Sequence, residues 1–310
     1  MNKNFYQKLK KPIYALAPLA GITDSAFRQI CKEDGADIVY SEMASATALF
    51  YNQEKTLELL KFDKKERPYV VQLFGSNPEH FAQAVKIVEK KIKPDGIDIN
   101  FGCPVQKVIK QKAGAELFKD LKLSRAVIES VIKNTSLPVS IKTRAGVGNV
   151  DILKFLKYMK GLDIKAIMIH GRTFSQGFSG PVDFEIIKKT RKYFSGIIIA
   201  NGGVIDKKSA DELLIKSKAD GIGVGQGALG RPWIFSNLKD GNEKIKTKKE
   251  IFRIALNHAK LMKKLKGKQG IVEMRKHLCW YVQGLPDARK LREKLVKVEN
   301  LKEIKNILSK

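Results

Sequence analysis

The run Asn100-Phe101-Gly102-Cys103-Pro104 holds a cysteine between a glycine and a proline. A free cysteine is more often an inert core residue than a reagent. Gly102 and Pro104, however, put Cys103 in a tight loop just beyond a strand end, where a thiol can face a pocket and act as a general acid. Cys31, inside the helical pattern SAFRQICKEDG, reads as core, and Cys279 reads as packing in the tail. The three cysteines are far apart and form no CxxC pair, so neither a zinc site nor a disulfide framework is expected. Lys142 lies within the run PVSIKTR. A lysine on a strand is costly to bury without a partner. A reduced flavin, negative near N1 and O2, is one such partner; a side chain that snorkels out of the rim is the alternative. His170 in IHGRT is either a core histidine or a contact to a phosphate or a ring. Two glycine-rich segments, NGGV from Asn201 and GQGALG from Gly225, allow backbone N–H groups to approach an anion closely. Either one alone could be a tight turn.

The elements that must position these residues are short apolar runs: 13–20, 38–43, 69–75, 96–100, 138–144, 166–170, 196–203 and 221–227. Segments of helical spacing separate most of them. Continuous apolar runs are what parallel strands buried on both faces look like. Eight strand–helix units in about 240 residues predict an α/β fold, a (β/α)8 TIM barrel. A doubly wound open sheet is the alternative, but its usual Gly-rich first turn is missing. Pro18, Glu42, Gln72, Asn100, Lys142, His170, Asn201 and Gln226 all fall in or just beyond these runs, most of them at the C-terminal end that lines the active site of such barrels. The glycine segments follow strands seven and eight, the usual barrel phosphate site.

Asp240-Gly241-Asn242 reads as a linker, and the remainder reads as a small all-helical C-terminal domain. Ile271, Met274 and Leu278 share one helix face, as do Ala288, Leu291, Leu295 and Val298. The chain carries 59 Lys and Arg against 32 acids, a net charge of +27. Residues 240–310 hold +12 of it and the preceding 239 residues only +15. Such an excess attracts polyanions; a genome that writes lysine on every solvated face is the plain alternative. No apolar run reaches the ~20 residues of a membrane span, and no apolar signal core follows the basic start MNKNFYQKLKKP before Pro12 ends it. A cytoplasmic protein is expected, with no membrane contact and no stable protein partner.

The segments APLAGITDSAFR (17–28), VQLFGSNPEHFAQAVKIVE (71–89), DGIDINFGCPVQKVIKQKAGAELFKD (95–120), PVSIKTRAG (138–146), IHGRTFSQGFSG (169–180), GQGALGRPWIF (225–235) and MRKHLCWYVQGLPDARKLREKL (274–295) resemble the tRNA-dihydrouridine synthase family. The likeness is greatest to its bacterial B-type branch and covers nearly the whole chain. It implies an FMN-binding barrel over 1–239 and a helical tRNA-binding domain over 240–310. It implies that Pro18, Leu19 and Ala20 line the flavin, that Gln72 and Lys142 bond its ring, and that His170 lies near the ring and ribityl chain. Asn201, Gly202, Gly203, Gly225 and Gln226 would hold the ribityl phosphate. NADPH or NADH would reduce the FMN, Cys103 would protonate the uracil, and Asn100 would help to position it. In the tail, Arg275, Lys276, Trp280 and Tyr281 would grip RNA by phosphate contacts and stacking. The chain departs from the family pattern at three places: Leu19 stands for the usual methionine, Gln226 for the usual arginine, and Gly203 for a frequent aspartate. Two other readings share some of these features: an FMN barrel acting on a small molecule, and a non-catalytic RNA-binding protein on a degenerate barrel.

Overall fold

The structure, a computed structural model, describes residues 4–309; residues 1–3 of the basic N-terminal stretch and residue 310 lie outside the described residues. The eight apolar runs form the eight barrel strands: β1 (Ile13–Leu16), β2 (Ile38–Tyr40), β3 (Tyr69–Phe74), β4 (Gly96–Asn100), β5 (Val139–Arg144), β6 (Ala166–His170), β7 (Ile197–Asn201) and β8 (Gly221–Val224). All pair in parallel with their neighbours. β1 pairs with β8 at Ile13↔Gly221 and with β2 at Ala15↔Ile38, and β2 pairs with β3 at Val39↔Tyr69, so the sheet closes on itself and the open-sheet alternative fails. A two-residue strand, Ala44–Ser45, extends pairing beside the last residues of β3.

Each connection returns through at least one helix, the requirement of parallel pairing. The principal ones are α1 (Ser25–Glu33), α2 (Ala46–Tyr51), α3 (Pro78–Lys91), α4 (Leu121–Asn134), α5 (Ile152–Tyr158), α6 (Phe184–Thr190), α7 (Lys207–Ser217) and α8 (Ile234–Asp240). Their starts are written in side chains. Asp24 caps α1, Asn77 caps α3 ahead of Pro78, and Asp206 makes a capping box with Ser209 on α7. The helices bury their apolar faces against the outside of the sheet. The barrel interior is a second apolar layer of Ile13, Ala15, Ile38, Val70, Met168 and Ile199, into which Tyr6 reaches from the N-terminal turn to meet Tyr40, the two hydroxyls 3.3 Å apart.

The chain beyond α8 is helical: α9 (Lys248–Tyr281), α10 (Ala288–Leu295) and α11 (Leu301–Leu308). α9 is broken at Gly267, whose φ of 59° and ψ of −134° are not helical. Ile271, Met274 and Leu278 are buried together, as their spacing predicts. Leu295 and Val298 are buried too, but α10 ends at Leu295, so the face inferred as far as Val298 is completed by the turn that follows the helix. This helical core takes in Ala26 of α1 and Trp233 from beside α8. At the same seam Gly230, with φ +68°, is packed so closely that a Cβ would lie 2.3 Å from the Trp280 backbone. Among the described residues, no helix is long and apolar enough to cross a membrane.

Candidate active site

The C-terminal ends of the strands surround a cavity of about 420 Å³, within the range of small-molecule and cofactor sites. Of the barrel residues singled out from the sequence, these line it: Pro18, Leu19 and Ala20 after β1, Gln72 of β3, Asn100 and Cys103 at the end of β4, Lys142 of β5, His170 of β6, Asn201, Gly202 and Gly203 after β7, and Gly225 and Gln226 after β8. Glu42 does not; its carboxylate instead accepts from the Gly21 N–H in the loop after β1, and its neighbour Met43 takes the lining position. Parallel register brings them together, since Gln72 pairs with Asp98, Asn100 with Lys142, and Arg144 with His170.

The loop carrying Cys103 is held by a chain of hydrogen bonds across three strands. Asn100 Oδ1 accepts from the backbone N–H of Gly102 at 3.0 Å and of Cys103 at 2.9 Å. Asn100 Nδ2 donates to Gln72 Oε1 at 2.8 Å, and Gln72 Nε2 donates to Asp98 Oδ2 at 2.7 Å. Ser140 Oγ donates to the other Asp98 oxygen at 2.6 Å. Asp98 is fully buried, and burial pushes its carboxyl up to about 6 against the pull of these two donors. Each amide has its direction set by the next, so the thiol loop is preorganised rather than merely tethered. Arg144 Nε donates to Gly102 O at 3.0 Å, and its Nη1 donates to Thr173 O and Gly177 O, binding the Cys103 loop to the loop after β6.

Burial raises the Cys103 thiol above its ordinary value, while the Val105 N–H, Lys142 and Arg144 pull the other way. The group therefore stays protonated at neutral pH and holds a proton to give. Burial, helped by Arg144, pushes the Lys142 amine down to about 8, with Asp98 and Cys103 opposing. The cavity thus presents a desolvated cation at one wall. Burial, then Lys142, Arg144 and Arg172, push His170 down to about 3, so its imidazole is neutral at pH 7 and acts by hydrogen bonding, not by charge. Gly202 has φ +121°, and a Cβ there would lie 2.8 Å from His170 Cδ2, so this turn requires glycine. The loop passes against the imidazole with its backbone bare, as an anion-cradling loop must.

The sequence reading missed three contributors. Asp98 was legible as an acid in the middle of the apolar run GIDIN. Arg144 is the last residue of the run PVSIKTR, where residue type alone assigns it no partner. Arg172, two residues past His170, donates from Nε to Gly180 O at 2.8 Å and from Nη1 faces His170 Nε2 at 3.4 Å. Its Nη2 lies 3.8 Å from where a Cβ on Gly203 would be. A guanidinium therefore stands beside the glycine loops, although position 226 is glutamine and its side chain is exposed.

The tail residues fare differently. Tyr281 is 2% exposed, sits in the helical core beside Trp233, and faces His258 Nδ1 at 3.3 Å; stacking on RNA is set aside for it. The reason is helical spacing, because Met274, Leu278 and Tyr281 fall on the one face of α9 that turns inward. Arg275 Nε donates to Val298 O at 2.9 Å and ties α9 to the turn before α11. Lys276 Nζ donates to Gly21 O, beside the loop that follows β1, and Trp280 is half-buried against His277. Cys31 is buried and Cys279 half-buried, away from the cavity.

A family model described as Dihydrouridine synthase matches residues 15–310. A probable tRNA-dihydrouridine synthase of Aquifex aeolicus is 34% identical over 95% of this chain and 94% of its own. The tRNA-dihydrouridine synthase B of Pasteurella multocida is 34% identical over 90% of this chain and 86% of its own. Among solved structures, histamine dehydrogenase from Rhizobium sp. 4-9 superposes with a TM-score of 0.58 at 12% identity, over 80% of this chain and 48% of that one. An old yellow enzyme homologue from Zymomonas mobilis gives 0.55 at 14% identity, over 76% and 90%. At these identities the two structures speak for the barrel fold alone.

Proposed function

The chain belongs to the dihydrouridine synthase family, and we propose that it reduces the C5–C6 double bond of uridine in the D-loop of transfer RNA to 5,6-dihydrouridine, with FMN as its cofactor and NADPH or NADH as electron donor. The observation that carries this reading is a thiol, Cys103, presented to the cavity by the Asn100 turn in the company of Lys142 and Arg144; burial favours its protonated form. FMN fits the residues present. The bare turn at Gly202 and Gly203, the neighbouring Gly225 and the guanidinium of Arg172 suit its phosphate; Lys142 and Gln72 suit the polar edge of its ring; Pro18, Leu19 and Ala20 suit its apolar face. Bound there, FMN supplies the reducing equivalents. The uracil, turned out of the RNA stack as base-modifying enzymes require, receives at C5 the proton that Cys103 holds. Asn100 keeps that thiol in place, and residues 240–310 supply the positive surface that attracts the RNA backbone.

The decisive experiment maps dihydrouridine in tRNA from cells with and without this protein and repeats the conversion with purified protein, tRNA and NADPH. Loss of specific dihydrouridines in the deletion strain is expected. Unchanged tRNA, together with turnover of small enones or dihydroorotate by the purified protein, would move the reading to a small-molecule flavoenzyme.

The depressed Lys142 amine gives a pH prediction. The negative N1/O2 edge of reduced FMN, placed against the amine, raises its pKa. Above pH about 8 the amine is neutral in the free protein and charged in the complex, so binding of reduced FMN, followed without oxygen, takes up a proton there; well below 8 it is charged in both and no uptake occurs at this group. Titration calorimetry in two buffers of different ionisation enthalpy should detect the uptake, and Lys142→Met should abolish it and weaken FMN. Identical uptake in wild type and Lys142→Met would place the ring's negative edge away from this lysine.

A further inference from the structure

Tyr51, the last residue of α2, leaves 74% of its surface to solvent. Its ring is not isolated. It stands edge-on to Phe50 at 4.8 Å and to His80 of α3 at 5.4 Å, while Phe50 stacks on His80 at 4.4 Å. His80 Nδ1 lies 3.0 Å from Thr47 Oγ1, which fixes the imidazole plane. Three aromatic rings are thus ordered in advance on the surface. They belong to the catalytic end of the barrel: Ala44–Ser45 pairs with the last residues of β3, α2 follows directly, and His80 lies in the first turn of α3. Met43, just before this strand, lines the cavity. Four residues before His80, Ser76 Oγ donates to Gln111 O at 2.8 Å, joining the entry to α3 to the segment that follows Cys103. That segment exposes Lys107, Lys110 and Lys112, and the exposed acids near the platform are Glu79, on the first turn of α3, and Glu54, three residues past Tyr51 and followed by the exposed Lys55.

We infer that the platform of Tyr51, Phe50 and His80 stacks an unpaired nucleobase of the RNA substrate while the lysines beside it take the flanking phosphates. This rests on the RNA-modifying reading above. A uridine drawn into the cavity leaves its neighbours short of a stacking partner, and aromatic side chains replace such contacts on unstacked RNA. Every base has a π face, so the platform adds affinity without demanding a sequence. The cation excess and the continuity with the cavity lining select RNA over an apolar partner for this patch.

The test is Tyr51→Ala, a change at an exposed side chain, with Tyr51→Trp as the conservative partner. In the full-length holoenzyme, Tyr51→Ala should raise KM for tRNA about fivefold to a hundredfold, with kcat, FMN content and tRNA-independent NADPH oxidation unchanged; Tyr51→Trp should restore KM. If the wild type forms dihydrouridine in tRNA and Tyr51→Ala does so with the same KM, or loses only kcat, the platform is not an RNA contact and the family reading stands. If the wild type neither binds nor modifies tRNA, both fall together. Concentration-dependent self-association of the wild type that Tyr51→Ala abolishes would assign the patch to a second copy of the chain and overturn the inference.

Discussion

Cys103→Ala is expected to lower dihydrouridine formation about 10²–10⁴-fold, the usual worth of a positioned acid, while bound FMN, NADPH oxidation and tRNA affinity stay near wild type. The two halves of the reaction separate because only one of them needs a protein acid. Reduction of uracil leaves negative charge shared between C5 and O4, and C5 must then take a proton; water delivers it slowly and without orientation. Cys103 has the proton available, since burial holds the thiol above its ordinary value. The sign follows: uracil reduction should persist through neutral pH and decline as pH rises through the raised thiol value, where the acid is lost. Cys103→Ser keeps the shape but offers a far weaker acid and should fall nearly as far as alanine. Cys31→Ala and Cys279→Ala, both away from the cavity, should keep activity apart from any loss of stability. Dihydrouridine made by Cys103→Ala at the wild-type rate would mean that the proton comes from elsewhere.

Affinity for tRNA should collapse with salt. A protein that neutralises six to ten phosphates loses about 10³–10⁵ in affinity between 50 and 200 mM salt, because the condensed counterions it displaced are driven back. Residues 240–310 carry +12. Lys263, Lys264 and Lys268 stand exposed on either side of the break at Gly267, and no ion pair among the described residues engages them. Replacing these three by glutamate should weaken binding and flatten the slope of log K against log salt by about one unit per lost phosphate contact. Charge substitution is a cleaner probe than removal of the tail. Phe27 of α1 lies against His258 and His277 at 5.6 and 5.3 Å, and Trp233 packs into the helical core, so truncation would uncover barrel residues as well as delete charge. An affinity indifferent to salt, or a slope unchanged by the triple substitution, would leave the tail a structural element only.

What the sequence determined by itself was whatever burial writes locally. Eight apolar runs marked eight strands, because a strand covered on both faces must be apolar throughout. The polar residues ending those runs marked the catalytic end, and Gly102-Cys103-Pro104 marked a thiol outside the strand. Inward positions on α9 were legible for Ile271, Met274 and Leu278 by the same logic. Tyr281 belongs to that face too, but its residue type suggested stacking where its register gave burial. The tertiary structure alone decided what depends on partners distant in the chain. The link from Ser140 through Asp98 and Gln72 to Asn100 exists because β3, β4 and β5 pair in one register, and no local period reports which residues of separate strands stand side by side. The guanidinium of Arg172 beside Gly203 and the meeting of Tyr51 with His80 arise the same way, from loops and helices brought together when the barrel closes. Periodicity in a sequence measures how deeply a side chain is buried, whereas closure of the sheet determines what it is buried against.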